Sequence, residues 1–237
     1  MSVWFWVCVA GVVCVVPFLF LSVEHTKLQE KYGKKKGTRI GEICGIVSGW
    51  LFFIFWAGIW VSPQPRFTIP FPVAVSFLVP FVNFSISLSN LVASVPFILV
   101  GAWLGIEGVR EVSLRVAETH RPDRIVTSGV YSLVRHPQYL GGLLSHVGIS
   151  ILLSAYRSFL ITPLMIVIVY LISWKEEREL IKEFGKDYEE YKKRVPMFIP
   201  RVRRREAETN KKHNSVNSSE RGLEKFARRV FVTETSL

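Results

Sequence analysis

Five consecutive residues, Arg135-His136-Pro137-Gln138-Tyr139, put a fixed cation, an imidazole, a proline and a phenol side by side. Pro137 has a backbone angle suited to the first turn of a helix and lacks an N–H that would be orphaned there anyway. A helix starting at Pro137 holds Arg135 and His136 just ahead of its positive end, and unpaired N–H groups beside a cation make an anion site. Gly141 and Gly142 cost that helix roughly 1 kcal/mol each against alanine. Their use would be to let a ligand or another backbone come close. Tyr131 and Tyr139 flank the motif and could pack on a flat ring while their hydroxyls hydrogen-bond. The same five residues would also suit a membrane-interface anchor, since Arg, His and Tyr are at home at headgroup depth.

A second group, Glu176-Glu177, favours the chemical reading. A helix from near Trp174 to Tyr191 turns an apolar face through Leu180, Ile181, Phe184, Tyr188 and Tyr191. Glu176 and Glu177 stand one turn before Leu180 and Ile181, so both carboxylates project along that face. Neither has a basic residue three or four positions onward. Inward-facing acids at a membrane edge suit a cationic or hydroxyl-rich ligand. A ligand with a carboxylate, a sulfonium, a ribose and an adenine matches an anion site, acids and aromatics together, and S-adenosylmethionine is such a molecule.

The elements that must position these residues are membrane helices. The chain has 237 residues, a formal net charge of +11 and 49% hydrophobic side chains, with its charge segregated from long apolar runs. Apolar segments lie at 3–23, 43–62, 70–88, 91–109, 139–154 and 159–174. The first starts with no Lys or Arg before it, so it reads as a retained span rather than a signal peptide. Basic residues crowd the 24–42 and 110–136 loops and the region after Trp174. They fall on one side only if 70–88 does not fully cross. That segment holds Pro70, Pro72 and Pro80 and the polar Asn83, Ser85 and Ser87, and reads as a re-entrant or interfacial piece. The expectation is an all-α integral membrane protein with five transmembrane helices, N-terminus outside and C-terminus cytosolic. Its organisation is a scaffold at 1–126, a core at 127–200 with a helical hairpin and a cytosolic cofactor-binding helix, and a basic tail at 201–237. The hairpin, turning at 155–158, returns the carboxylates to the face where the Pro137 helix starts.

Basic residues flanking apolar spans point to anionic lipid headgroups and not to nucleic acid. Cys8, Cys14 and Cys44 form no CxxC pair and have no nearby His, so neither a metal site nor a disulfide framework is indicated. Two readings stay open for His146, a functional intramembrane group or a neutral histidine bonded to a neighbouring helix. Glu107, three residues before Arg110, reads as a local ion pair. The tail carries Leu223, Phe226, Val230 and Phe231 at helical spacing, so 220–232 is either an amphipathic surface helix or disordered.

The ordered set Thr127-Ser128-Gly129-Val130-Tyr131, Arg135-His136-Pro137-Gln138-Tyr139 with Gly141, Glu176-Glu177, and Phe184-Gly185-Lys186-Asp187-Tyr188 through Pro196 resembles the isoprenylcysteine carboxyl methyltransferase family. The resemblance spans about 75 residues and implies that S-adenosylmethionine is held by Tyr131, by His136, Pro137, Gln138 and Tyr139, by Glu176 beside Glu177, and by Asp123, Arg124, Ile125 and Val126. Ile172 stands where the eukaryotic members place a substrate-contacting Arg. Arg135 and His136 are the candidate catalytic groups. The reaction implied is methyl transfer to a lipophilic acceptor from the bilayer, the carboxylate of a prenylated cysteine first among them. Rivals are a phospholipid or other small acceptor, a nicotinamide-dependent reductase on a related fold, and a non-enzymatic adaptor.

Overall fold

The computed structural model describes residues 2–70, 75–79, 84–119 and 124–201. Asp123 and the tail helix expected at 220–232 lie outside them. Helices dominate: α1 (Val3–Val23), α2 (His25–Tyr32), α3 (Lys34–Val61), α4 (Leu88–Val112), α5 (Leu114–Thr119), α6 (Pro137–Leu152), α7 (Tyr156–Leu160), α8 (Thr162–Phe184) and α9 (Lys186–Arg194). The exception is an antiparallel pair, β1 (Ser76–Val79) with β2 (Phe84–Ser87), in which Ser76 faces Ser87 and Phe77 faces Ile86. Strands of four residues are far short of the nine or so needed to cross a bilayer.

Three of the described helices, α1, α3 and α4, are long and apolar enough to span a membrane, against the five expected. α6 has only 16 residues, about 24 Å at 1.5 Å per residue. α8 carries Lys175, Glu176, Glu177 and Arg178 just beyond its apolar part, which ends at Trp174. Wide apolar faces of the long helices, with Trp4, Phe53, Val92 and Leu99 among the exposed side chains, fit a lipid surround. The protein is an all-α integral membrane protein in its architecture.

Two seams hold the bundle. Phe5, Val12, Val15 and Leu19 of α1 pack with Phe52, Trp56 and Ile59 of α3 and Met165, Ile168 and Ile172 of α8. The other seam, α4 on α6, is made by small residues. A Cβ on Gly141 would lie 2.6 Å from the Gly101 carbonyl oxygen and 2.7 Å from the Gly105 nitrogen. One on Gly148 would lie 2.7 Å from the Ile98 side chain. Close backbone approach of this kind is how membrane helices gain packing without a hydrophobic drive. His146 links the seams: its Nδ1 accepts from Trp56 Nε1 at 2.8 Å and Trp60 Nε1 at 3.0 Å, both on α3.

One expectation is corrected. The helix read from Trp174 to Tyr191 is two helices, because Gly185 takes φ +56 with ψ −128, a conformation that only glycine adopts readily. α8 runs unbroken from Thr162 through the carboxylate pair to Phe184, and α9 then leaves at an angle.

Candidate functional site

α6 starts at Pro137 with His136 as its N-cap residue, and its first backbone bond runs from Leu140 N–H to the His136 carbonyl at 3.0 Å. The preceding segment is anchored from the far end of the core: Arg135 N–H donates to the Pro196 carbonyl at 2.9 Å and His136 N–H to that of Met197 at 3.3 Å. Here the chain after α9 crosses the start of α6. The end of α8 returns to the same place, so residues far apart in sequence close one cleft of roughly 660 Å³, part of it open to solvent.

Of the residues expected at the site, Arg124, Ile125, Val126, Tyr131, Arg135, His136, Gln138, Tyr139 and Glu176 line this cleft. Pro137 and Glu177 do not, though both touch residues that do. Six more side chains complete the wall: Val112, Val116 and Ala117 from α4 and α5, and Leu180, Tyr188 and Tyr191. The last three belonged to the apolar face read from sequence. The first three carried no signal, because α5 reaches the cleft through tertiary contact. Gly45 of α3 leaves room for it: a Cβ there would lie 2.8 Å from the Glu118 carbonyl oxygen, and Arg115 pairs with Glu42 at 3.1 Å.

The two carboxylates have different roles. Glu176 Oε2 accepts from the Tyr139 hydroxyl at 3.1 Å and lies 3.8 Å from His136 Nδ1. Glu177 is buried, 1% exposed, and acts as a hub. Its Oε1 takes Arg135 Nε at 2.7 Å and lies 3.2 Å from His136 Nε2, while Oε2 pairs with Lys192 Nζ of α9 at 2.9 Å. Burial alone would raise its carboxyl, but the hydrogen bonds from His136, Arg135 and Lys192 outweigh it and hold the group at about 2. Arg135 Nη1 also donates to the carbonyls of Lys192, at 3.0 Å, and Val195. Its guanidinium is thus spent inside the protein, tying α6 to the C-terminal end of α9.

Tyrosines fill the remaining polar positions. Gln138 Nε2 donates to the Tyr131 hydroxyl at 3.0 Å and to the Gly108 carbonyl at 3.1 Å. A Cβ on Gly108 would sit 2.7 Å from the Gln138 side chain, so the glycine makes that contact possible. Tyr191 donates to the Tyr131 carbonyl at 2.7 Å. Burial, with Glu176 as the next cause, pushes the Tyr131 phenol upward, and burial does the same to Tyr188 and Tyr191. These hydroxyls stay protonated, and those of Tyr131 and Tyr191 donate to backbone carbonyls. Glu107 pairs locally with Arg110 at 2.7 Å and plays no part in the cleft. Among the described residues, no group of three or more His, Cys, Asp or Glu is placed to hold a metal ion.

Residues 89–187 match the phospholipid methyltransferase family. A protein-S-isoprenylcysteine O-methyltransferase of Schizosaccharomyces pombe is 31% identical over 140 residues, 54% of this chain and 55% of that protein. One of Xenopus laevis is 40% identical over 87 residues, 33% of this chain and 28% of its own. Methanethiol S-methyltransferase 2 of Bradyrhizobium diazoefficiens is 38% identical over 73 residues, 31% and 27% of the two chains. The matches span about half the length of the first relative and less than a third of the other two. The stretch matched at 89–187 contains α4, α6 and α8, the helices around which the cleft is built. Over that stretch the chain is similar to phospholipid methyltransferases and to protein-S-isoprenylcysteine O-methyltransferases.

Proposed function

We propose that the protein is a membrane methyltransferase that takes S-adenosylmethionine into the cleft at the start of α6 and passes its methyl group to a lipophilic acceptor arriving from the bilayer. The observation that carries this reading is the meeting of the Pro137 helix start, Glu176 and four tyrosines around one cleft. The residues fit the donor. Arg124, His136 and the first-turn N–H groups of Gln138 and Tyr139 suit its carboxylate. Glu176 suits its ammonium, sulfonium or ribose hydroxyls, and Tyr188 and Tyr191 suit a flat base. When bound, the donor supplies a methyl group on a positively charged sulfur, already electrophilic. The protein then needs to align the acceptor and exclude water. The relatives divide, by name, between O-methylation of an isoprenylcysteine and S-methylation of a thiol. A cytosolic cleft with the N-terminus outside is the arrangement the positive-inside tendency of the basic loops favours, and the same loops suit anionic headgroups.

The test is calorimetric titration of S-adenosylmethionine into the detergent-purified full chain, with a nicotinamide nucleotide as rival ligand. Binding of the first alone is expected. Glu176→Ala, which removes the cleft carboxylate, is expected to weaken binding by about a hundredfold, the loss of a charge-assisted contact of about 3 kcal/mol. Unchanged affinity in that variant would sink the site assignment, and binding of the nicotinamide nucleotide would favour a reductase.

A further inference from the structure

The short turn that carries Tyr131 is gripped by an acid that lies outside the cleft. Gly129–Ser132 forms one 3-10 turn, in which Tyr131 N–H donates to the Ser128 carbonyl at 3.0 Å. Entry into the turn needs Gly129, whose φ is +51. Beside that glycine lies the carboxylate of Glu111, in the last turn of α4, with Oε2 accepting from the Ser128 hydroxyl at 3.1 Å. A Cβ on Gly129 would run into Glu111 Oε1 and lie 2.8 Å from its Cδ. The acid therefore rests on bare glycine backbone, in a seat that any other residue at 129 would fill.

Nothing in α4 itself asks for an acid at 111. A helix C-terminus favours cations, so a carboxylate one residue before Val112, the last of α4, works against the dipole. The neighbouring cations in sequence are spent elsewhere, Arg110 on Glu107 at 2.7 Å and Arg115 on Glu42 at 3.1 Å. A merely solvated acid would need neither a serine donor nor a glycine beneath it. What the contact fixes is the stretch 128–136, which carries Tyr131, Arg135 and His136. Its far end is pinned where Arg135 and His136 donate to the Pro196 and Met197 carbonyls, and its near end is pinned by Glu111. Within it, the Tyr131 hydroxyl receives Gln138 Nε2 at 3.0 Å and reaches the Gly108 carbonyl at 3.4 Å, long for such a bond. The phenol's own tether to α4 is thus slack, and the firmer one is Glu111, one turn on from Gly108. We propose that Glu111 is a positioning residue for the methyl donor: by holding Ser128 against α4 over Gly129, it sets Tyr131 in the cleft and with it the donor's affinity. The inference rests on the methyl-donor reading of the cleft. Glu111 is not among the cleft-lining residues, whereas Tyr131 and the adjacent Val112 are, so it acts through its neighbours.

Two measurements test this together: calorimetric titration of S-adenosylmethionine, and fluorine spectra of the fluorotyrosine-labelled full chain, with the Tyr131 signal assigned by its loss in Tyr131→Phe. Glu111→Ala is expected to weaken donor binding about tenfold, the low end for a hydrogen bond to a charged group. It should also shift the Tyr131 signal while the thermal midpoint holds. Glu111→Gln, whose amide oxygen still accepts from Ser128, is expected to stay within about threefold of the unaltered protein. Ser128→Ala is expected to weaken binding as well, but to add nothing in the Glu111→Ala background, as two ends of one contact must behave. Unchanged donor affinity in Glu111→Ala overturns the proposal, and so do additive losses in the double variant. A loss in Glu111→Gln as deep as that in Glu111→Ala makes charge the agent, not the hold on Ser128, and overturns it too. A thermal midpoint falling in step with affinity reduces Glu111 to a general stability residue, with the same consequence. If the unaltered protein binds no donor, the methyltransferase reading fails instead. The ligand-free spectrum then still decides whether Glu111 places the Tyr131 ring, and an unmoved signal refutes that.

Discussion

Gly141→Leu is expected to unfold the detergent-purified protein at a markedly lower temperature, while Gly142→Ala, at the next position, leaves it unchanged or slightly stabilised. The two glycines look alike in sequence and face different neighbours. A Cβ at 141 meets backbone, the Gly101 carbonyl oxygen at 2.6 Å and the Gly105 nitrogen at 2.7 Å. Neither can move unless α4 itself moves. Gly101 is pressed in the same way from the other side, where a Cβ would lie 2.8 Å from the Gly141 carbonyl oxygen. Overpacking commonly costs 1–3 kcal/mol, and a backbone obstruction belongs at the upper end, about 3 kcal/mol. At 142 the nearest atom is Trp56 Cη2 at 3.4 Å, an ordinary contact, and alanine regains up to about 1 kcal/mol of helix propensity. The α4–α6 seam ends where Gly108 receives Gln138 and Tyr131, so Gly141→Leu should also weaken cleft binding. Thermal unfolding of both variants followed by intrinsic fluorescence checks the pair. Equal midpoints for Gly141→Leu and the unaltered protein would mean that α4 and α6 do not approach this closely.

What could be read from sequence, and what could not, follows the range of the interactions involved. Pro137 gave the start of α6 because proline acts through its own ring and its missing N–H. The meeting of Tyr139 with Glu176 was implied by a hairpin of two apolar segments with a short turn. The separate roles of Glu176 and Glu177 were not legible. Adjacent helical residues point about 100° apart, and Glu177's partners, Arg135, His136 and Lys192, lie outside its own helical neighbourhood. Absence of a basic residue one turn onward therefore said nothing about pairing. Gly185 did leave a signal, a glycine following Lys182 and Phe184 as at a helix C-terminus. The apolar period from Leu180 to Tyr191 masked it, since α9 folds back with its tyrosines on the same cluster as Leu180, Ile181 and Phe184. In 84–87 the alternation of Ser85 and Ser87 with apolar residues reads as polarity breaking a span. It is also the period-two pattern of a strand, and β2 occupies it. The α5 wall could not have been read, because its place depends on the missing side chain of Gly45.

Arg135→Gln is expected to destabilise the protein by about 3–5 kcal/mol at neutral pH, the usual result of removing one partner of a buried ion pair. The guanidinium is 9% exposed and bonds Glu177 and the Lys192 and Val195 carbonyls, so its loss strands a buried charge and the end of α9 together. Acid separates these two contributions. Glu177 is held at about 2 against an ordinary 4.5. Between those values the unfolded chain binds the proton that the folded one refuses, so stability rises with pH. The carboxylate's contribution, about 3 kcal/mol for a shift of this size, is complete above pH 4.5 and drains away as pH falls toward 2. In Arg135→Gln the Glu177 carboxyl moves back up, and the variant has less of this contribution to lose. The stability gap between the two proteins should therefore narrow on going from pH 5 to pH 2.5, measured by denaturant unfolding in detergent at each pH. A gap of constant size would show that Arg135 acts through the α9 carbonyls alone, with Glu177 held ionised by Lys192 and His136. In that case Lys192→Met, which removes only the charge on Oε2, becomes the variant whose gap narrows.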